Sequence, residues 1–345
     1  MLLTSQENGL QVFQLLAGRD FCKRSEDGTP RTGNDQIAAQ MSNFVYCVFD
    51  SNEKRAMLVD PCWDIEGIFD TLSSLGINNI ETCAYTHHHF DHTGGYLPTG
   101  YTGGRNVVVP GIAEAAAKDT VQDICAGKLD VAKIAAQCKI SVNTIRPLSD
   151  GDRVWETDNI LIGAWHTPGH TAGSTCFLAF AKNQNPNDNN KKTPPVMITG
   201  DTLFIGSCGR YDLPDSNVND MVMSLERLST LPIDTVVCPG HNYAVPTQTT
   251  IGQEQLTNQM MQQSMKFASQ LRQKINNGTG GTSSSVKKNS VKKNQTSAIV
   301  THIPLPDYLG VARHVLESHV QWNTVHSELR CEECCTIYEP AGPSL

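Results

Sequence analysis

His87, His89, Asp91 and His92 fall within six residues, in the run Thr86-His87-His88-His89-Phe90-Asp91-His92-Thr93-Gly94-Gly95. Side chains that offer nitrogen or oxygen lone pairs at this spacing can hold divalent ions. The apolar run before them, residues 80–85, reads as a strand, and side chains alternate faces along a strand. His87 and His89 therefore point one way and His88 the other. Asp91 and His92 follow where the chain leaves the sheet, and Gly94-Gly95 permits a sharp turn into the next element. Two donor pairs result, His87/His89 and Asp91/His92, close enough to hold two metal ions side by side. Imidazole and carboxylate without thiolate suit zinc first, and iron or manganese as well. A histidine-rich surface loop is the bland reading, but this donor set exceeds what a generic two-histidine motif offers.

The elements that must position these donors can be read around them. Residues 44–49 and 56–59 are strand candidates separated by a polar turn, so a hairpin is expected. Asp60 ends its second strand; on local grounds it reads as a turn former or helix cap. Ile65, Ile68, Phe69 and Leu72 recur at helical spacing, and that helix stops at Gly76. A further strand is expected at 106–110. The alanine-rich stretch 113–136 predicts two helices broken near Gly127. Short strands follow over 145–168 and run into Trp165-His166-Thr167-Pro168-Gly169-His170, where a Pro-Gly turn places His170 as a candidate ligand and His166 as a structural residue. Strands at 174–181 and 196–199 flank an asparagine-rich loop, 182–192, read as a disordered surface insertion. Asp201 comes directly after the second of them. A helix over 218–228 leads to a strand at 235–238 and then to Pro239-Gly240-His241-Asn242-Tyr243, which repeats the pattern of small residues before a potential ligand.

Length and charge narrow the function classes. The chain has 345 residues, enough for a large core, with 39% hydrophobic residues and a net charge of −8. That charge gives no support for nucleic-acid binding, and no apolar run approaches the length needed to cross a bilayer. The first residues do not form a secretory signal, and the scattered cysteines are no disulfide framework, so reduced thiols and a cytoplasmic location are expected. Residues 1–250 read as the catalytic domain and 251–275 as a polar C-terminal helix. Residues 276–297, with tandem Ser-Val-Lys-Lys-Asn copies, read as a disordered linker, and 298–345 as an accessory tail. The tail ends in Cys331-Glu332-Glu333-Cys334-Cys335, a spacing that matches no strong zinc pattern.

Taken together, His-x-His-x-Asp-His, Pro-Gly-His-Thr, Gly-Asp-Thr-Leu-Phe and Gly-His occur in an order that resembles the metallo-β-lactamase superfamily, in its glyoxalase II-like (hydroxyacylglutathione hydrolase-like) branch. The resemblance covers roughly residues 10–255. It implies an α/β (α+β) fold, a four-layer αββα sandwich with the metals at one edge. It also implies that His87, His89 and His170 hold one ion, that Asp91, His92 and His241 hold the other, and that Asp201 bridges both. Asp60 then becomes a residue that supports the site from behind, displacing its reading as a turn former. Two ions sharing a water would present hydroxide to a carbonyl, with Asp91 orienting it. A thiolate, of pKa near 8.5, departs without a strong general acid, so a small-molecule thioester such as S-lactoylglutathione is the expected substrate. Arg210 and Tyr243 fall where that branch carries substrate-binding groups, whereas its C-terminal basic pair has no recognisable counterpart. The alternative is a persulfide dioxygenase of the same fold, suggested by Cys208-Gly209-Arg210-Tyr211-Asp212. It would use only His87, His170 and Asp201 around one Fe(II).

Overall fold

A computed structural model describes residues 1–5, 9–23, 33–97, 104, 106–182 and 193–278. The asparagine-rich loop, the linker beyond residue 278 and the cysteine-bearing tail lie outside the described residues.

Two sheets carry the fold. The first has seven strands in the order Leu2–Ser5, Leu10–Leu16, Phe44–Asp50, Arg55–Val59, Ile80–Tyr85, Asp123–Gly127 and Arg146–Leu148. Its first four strands run antiparallel and its last three join in parallel. The second has six: Arg153–Glu156, Ile160–His166, Thr175–Ala181, Val196–Gly200, Val236–Pro239 and Thr249–Thr250. Only the pairing of Val196–Gly200 with Val236–Pro239 is parallel.

Alternation along the strands explains why the sheets stack. Phe44, Tyr46 and Val48 face a core shared with Ile160, Ile162, Phe177 and Ile198 of the other sheet. The intervening Val45, Cys47 and Phe49 face outward onto the helix Ile65–Ser74 through Ile68 and Leu72. Likewise Leu178, Met197 and Val237 turn away from the central core to meet Met221 and Leu225 of the helix Val218–Leu228. Each large side chain buried this way stabilises by roughly 1.5–3 kcal/mol. The result is helix, sheet, sheet, helix: the expected αββα sandwich.

Two elements differ from the sequence expectation. The stretch 113–136 holds a strand, Asp123–Gly127, between the helices Ile112–Ala116 and Val131–Cys138. It pairs in parallel on both sides, with Ile80–Tyr85 and with Arg146–Leu148. A strand covered on both faces needs no polar alternation, so its short apolar run was indistinguishable from helix. The polar segment 251–275 is two helices, Ile251–Thr257 and Gln259–Gly278, that meet at Asn258. Asn258 is extended and its Oδ1 accepts from the amides of Met260 and Met261, so it ends one helix and starts the next. Ile251 and Met261 sit in the same cluster as Met221 and Leu225. Truncation after Ile275 is expected to leave the melting transition and metal content unchanged; a truncated protein that precipitates would show that the tail packs on this body. Among the described residues no helix is long and apolar enough to cross a membrane.

Candidate metal centre

The strand Ile80–Tyr85 delivers Thr86 and His87 to the edge where both sheets end. His89 precedes a single helical turn, Phe90–Thr93, that buries Asp91 and His92. Gly94 and Gly95 both have positive φ, and a Cβ on either would lie 2.7 Å from a carbonyl oxygen, of Val109 and Gln137 respectively. The turn therefore needs glycine for close approach as well as for conformation. His170 stands on the turn after Ile160–His166, Asp201 follows Val196–Gly200, and His241 follows Val236–Pro239.

These seven side chains converge. One group is His87, His89 and His170; a second is Asp91, His92 and His241; a third joins His87, His92 and Asp201. His89 Nδ1 lies 3.0 Å from His87 Nε2 and 2.9 Å from His170 Nε2. His92 Nε2 lies 3.2 Å from His241 Nε2. Asp201 reaches toward both sides: Oδ1 is 3.4 Å from Nε2 of His92 and of His241, and Oδ2 is 3.6 Å from His170 Nε2.

The outward ring nitrogens fix what the inward ones present. His170 Nδ1 donates to the Arg210 carbonyl at 2.8 Å, and His241 Nδ1 donates to the Met41 carbonyl at 2.7 Å. His92 Nδ1 donates to Asp60 Oδ2 at 2.8 Å. The Thr86 hydroxyl donates to Asp60 Oδ2 at 2.7 Å, which leaves its oxygen to accept from His87 Nδ1 at 3.0 Å. In their neutral forms all four rings then aim an Nε2 lone pair inward, at one another. Asp201 Oδ1 is buried, with the Nε2 atoms of His92 and His241 facing it at 3.4 Å. Facing lone pairs and a buried carboxylate oxygen repel unless a cation or a proton lies between them. The donor set thus fits divalent ions, held by nitrogen and oxygen alone.

Charge divides the cluster. At His92 burial works downward, but the carboxylates of Asp91, Asp201 and Asp60 outweigh it and hold the ring up at about 10. His241 is likewise raised against its burial, chiefly by Asp201. His89 is pushed down to about 4 by burial and then by His170, and His87 well down by burial and its imidazole neighbours. Asp91 and Asp201 are both lowered despite burial, because His92 and His241 face them. In the metal-free protein the His92 side therefore holds a proton at neutral pH. That proton adds stability below about pH 6.5, and its contribution is lost as pH rises through about 10. Metal uptake must displace it. Apparent metal affinity is expected to keep rising with pH well past 6.5, with proton release seen as a buffer-dependent heat in titration calorimetry. An affinity that levels off near 6.5 would contradict this.

The remaining candidates are placed as follows. Asp60 has a left-handed backbone, φ 55, and its Oδ1 accepts from the Thr86 amide at 2.7 Å. His88 turns away, to 3.1 Å from Asp130 Oδ2, and His166 binds the Ala172 carbonyl. Tyr243 stacks on His241 at 4.7 Å with 8° between the rings, and is 61% exposed. The Arg210 guanidinium is exposed and paired with Asp212 at 2.9 and 3.0 Å; it is the Arg210 carbonyl that touches the cluster, through His170. Three further residues were missed. Asn43 Nδ2 donates to Asp91 Oδ2 at 3.1 Å while its Oδ1 accepts from Trp63 Nε1 at 3.1 Å, so both the amide and the carboxylate are fixed. Asp130, fully buried, accepts from the amides of His88 and Gly173 and from the Thr171 hydroxyl, tying the His87–His89 loop to the His170 loop. No local motif marks any of the three.

A family model described as the metallo-beta-lactamase superfamily matches residues 41–179 and 192–241, more than half of the chain. A probable polyketide biosynthesis zinc-dependent hydrolase of Bacillus velezensis is 28% identical over 203 residues, 59% of this chain and 74% of that protein. A hydroxyacylglutathione hydrolase of Citrobacter koseri is 28% identical over 221 residues, 61% of this chain and 66% of its own length. Among solved structures, a metallo-beta-lactamase from Staphylococcus aureus subsp. aureus COL matches with a TM-score of 0.51 at 22% identity, over 74% of this chain and 63% of that one, a likeness of fold.

Proposed function

The chain belongs to the metallo-beta-lactamase superfamily, and we propose that it is a metal-dependent hydrolase of a small-molecule thioester, with a glutathione conjugate such as S-lactoylglutathione the first substrate to try. The carrying observation is that Asp201 lies between two donor groups, each made of inward-facing lone pairs. His87, His89 and His170 would hold one divalent ion, Asp91, His92 and His241 the other, and Asp201 would touch both, with zinc suiting the donors first and iron or manganese also. Ions bound there would lower the pKa of water toward neutrality and polarise a carbonyl.

The chain's own residues supply the rest. Asp60 and the backbone carbonyls of Met41 and Arg210 hold the Nδ1 protons of His92, His241 and His170, so that in the neutral rings Nε2 faces the centre. Asp91, held by Asn43, keeps one oxygen aimed at the cluster and can orient an attacking water or take its proton. A thiol leaves as thiolate near its ordinary pKa, so the reaction does not depend on a positioned general acid. The relative named hydroxyacylglutathione hydrolase supports this reading. So does the place of His89, within 3.0 Å of both His87 and His170, which a single-iron site built on His87, His170 and Asp201 would not employ.

The test joins elemental analysis to turnover. About two ions per chain are expected, together with loss of thioester absorbance and thiol release at equal rates with and without oxygen. One iron per chain with oxygen uptake on glutathione persulfide would establish the dioxygenase instead. No turnover of any small thioester by metal-loaded protein would sink the proposal.

A further inference from the structure

Beside His241 lies a recess of ≈ 130 Å³ lined by Phe204, Ile205, Ser207, His241, Tyr243 and Ala244. Apart from His241, none of these side chains is ionised at neutral pH. The aromatic walls are set against each other: the Phe204 ring meets Tyr243 edge-on at 5.4 Å and His241 at 5.9 Å. Half of the lining comes from a ribbon whose strands, Leu203–Phe204 and Ser207–Cys208, are two residues each. A ribbon so short does not hold its own shape.

Its support comes from the helix Ile251–Thr257 and from Asn258, which joins it to the helix Gln259–Gly278. Glu254 and Asn258 are both fully buried. Glu254 Oε2 accepts from the Gly206 amide at the ribbon's tip at 2.8 Å and from Asn258 Nδ2 at 2.8 Å. Asn258 Nδ2 also donates to the Ser207 carbonyl at 2.8 Å and lies 3.4 Å from that of Phe204. The orientation of this amide is set from behind, since its Oδ1 caps the helix Gln259–Gly278. Glu254 Oε1 has no hydrogen-bond partner. Burying a half-satisfied carboxylate costs stability, so packing alone gives no reason for it here. Its geometric effect is specific: it fixes the one stretch of backbone that carries Phe204 over the recess.

We propose that this ribbon is the specificity wall of the site, and that Glu254 and Asn258 are positioning residues holding Phe204 against His241 and Tyr243 to receive an uncharged, apolar group of the substrate. What the wall selects rests on the thioester reading; what holds the wall does not.

The experiment uses the full-length, metal-loaded protein and two readouts. Amide hydrogen exchange over residues 203–208 is expected to accelerate in Glu254→Ala and to return toward wild type in Glu254→Gln, whose carbonyl can still accept from Gly206. With acetyl and phenylacetyl thioesters of one thiol, Glu254→Ala is expected to raise KM about tenfold, the scale of one lost charge-assisted hydrogen bond, with a smaller change in kcat. Phe204→Leu, which leaves both supports in place, is expected to raise KM for the phenylacetyl compound more than for the acetyl one. Should Glu254→Ala fail to fold, Asn258→Asp withdraws the donors to Ser207 and Phe204 while keeping the helix cap, and the same exchange change is expected. Unchanged exchange in the ribbon would overturn the positioning role, and equal KM changes for both thioesters in Phe204→Leu would overturn the wall. If wild type turns over no thioester while exchange still responds, the thioester reading fails and the support by Glu254 stands.

Discussion

Asp201→Ala is expected to reduce kcat/KM for a thioester by roughly 10³-fold, the scale of losing a dominant electrostatic group in an active site. Asp201 is the residue that both donor groups share: Oδ1 lies 3.4 Å from Nε2 of His92 and of His241, and Oδ2 3.6 Å from His170 Nε2. Removing it takes a donor from each side at once. It also removes a carboxylate that holds a charge on His92 and His241 in the metal-free protein. The backbone offers no replacement, because Gly240 brings the chain so close that a Cβ there would lie 2.5 Å from Asp201 Oδ1. Metal content should fall with activity, which elemental analysis of the purified variant measures. A variant that keeps full metal and a tenth or more of the wild-type rate would refute a shared role for Asp201.

Asp60→Asn is the second large effect, and it arises without touching the centre. Asparagine tolerates the left-handed backbone at this position, so the loop itself should survive. Its oxygen can still accept from the Thr86 amide, but its NH2 then faces the Thr86 hydroxyl and His92 Nδ1, where Asp60 Oδ2 accepted from both. Two donors cannot meet, so His92 must carry its proton on Nε2, and its inward lone pair is lost. Apparent metal affinity should drop by about 100-fold, the upper range for residues that orient ligands from behind. Competition with a chromophoric chelator reads this directly. An unaltered affinity in a folded variant would show that the Asp60 contact does not set the tautomer.

Legibility followed the range of each interaction. The His87–His92 cluster and its strand could be read because strand periodicity and four donors within six residues are local facts. His170, Asp201 and His241 shared a recognisable context, each behind small residues at the end of an apolar run. The strand Asp123–Gly127 was hidden because it is buried on both faces and lies in alanine-rich sequence, where period 2 leaves no trace. Asn43, Trp63 and Asp130 were invisible for a different reason: each acts on a residue tens of positions away, and Asp130 occupies a helix start without capping it. Arg210 shows the limit of reading side chains alone. A basic residue was singled out for its charge, yet the group nearest the centre is its carbonyl oxygen, which any residue could supply.

The division of donors between the sheets bears on how the centre comes into being. His87, His89, Asp91 and His92, with Asp60 behind them, extend from strands of the first sheet; His170, Asp201 and His241 extend from the second. Each of the three donor groups draws members from both sheets, and the halves meet through the shared apolar core and through long-range bonds such as Thr175 to Thr86 and Phe44 to Gly240. During folding the centre can therefore exist only after the two sheets dock, and any ion it captures acts as a clamp across that seam. Docked and undocked chains would differ in affinity, so free metal ion at about 100 times its Kd would favour the docked state by about 2.7 kcal/mol. Chelation would then loosen the seam before it loosens either sheet.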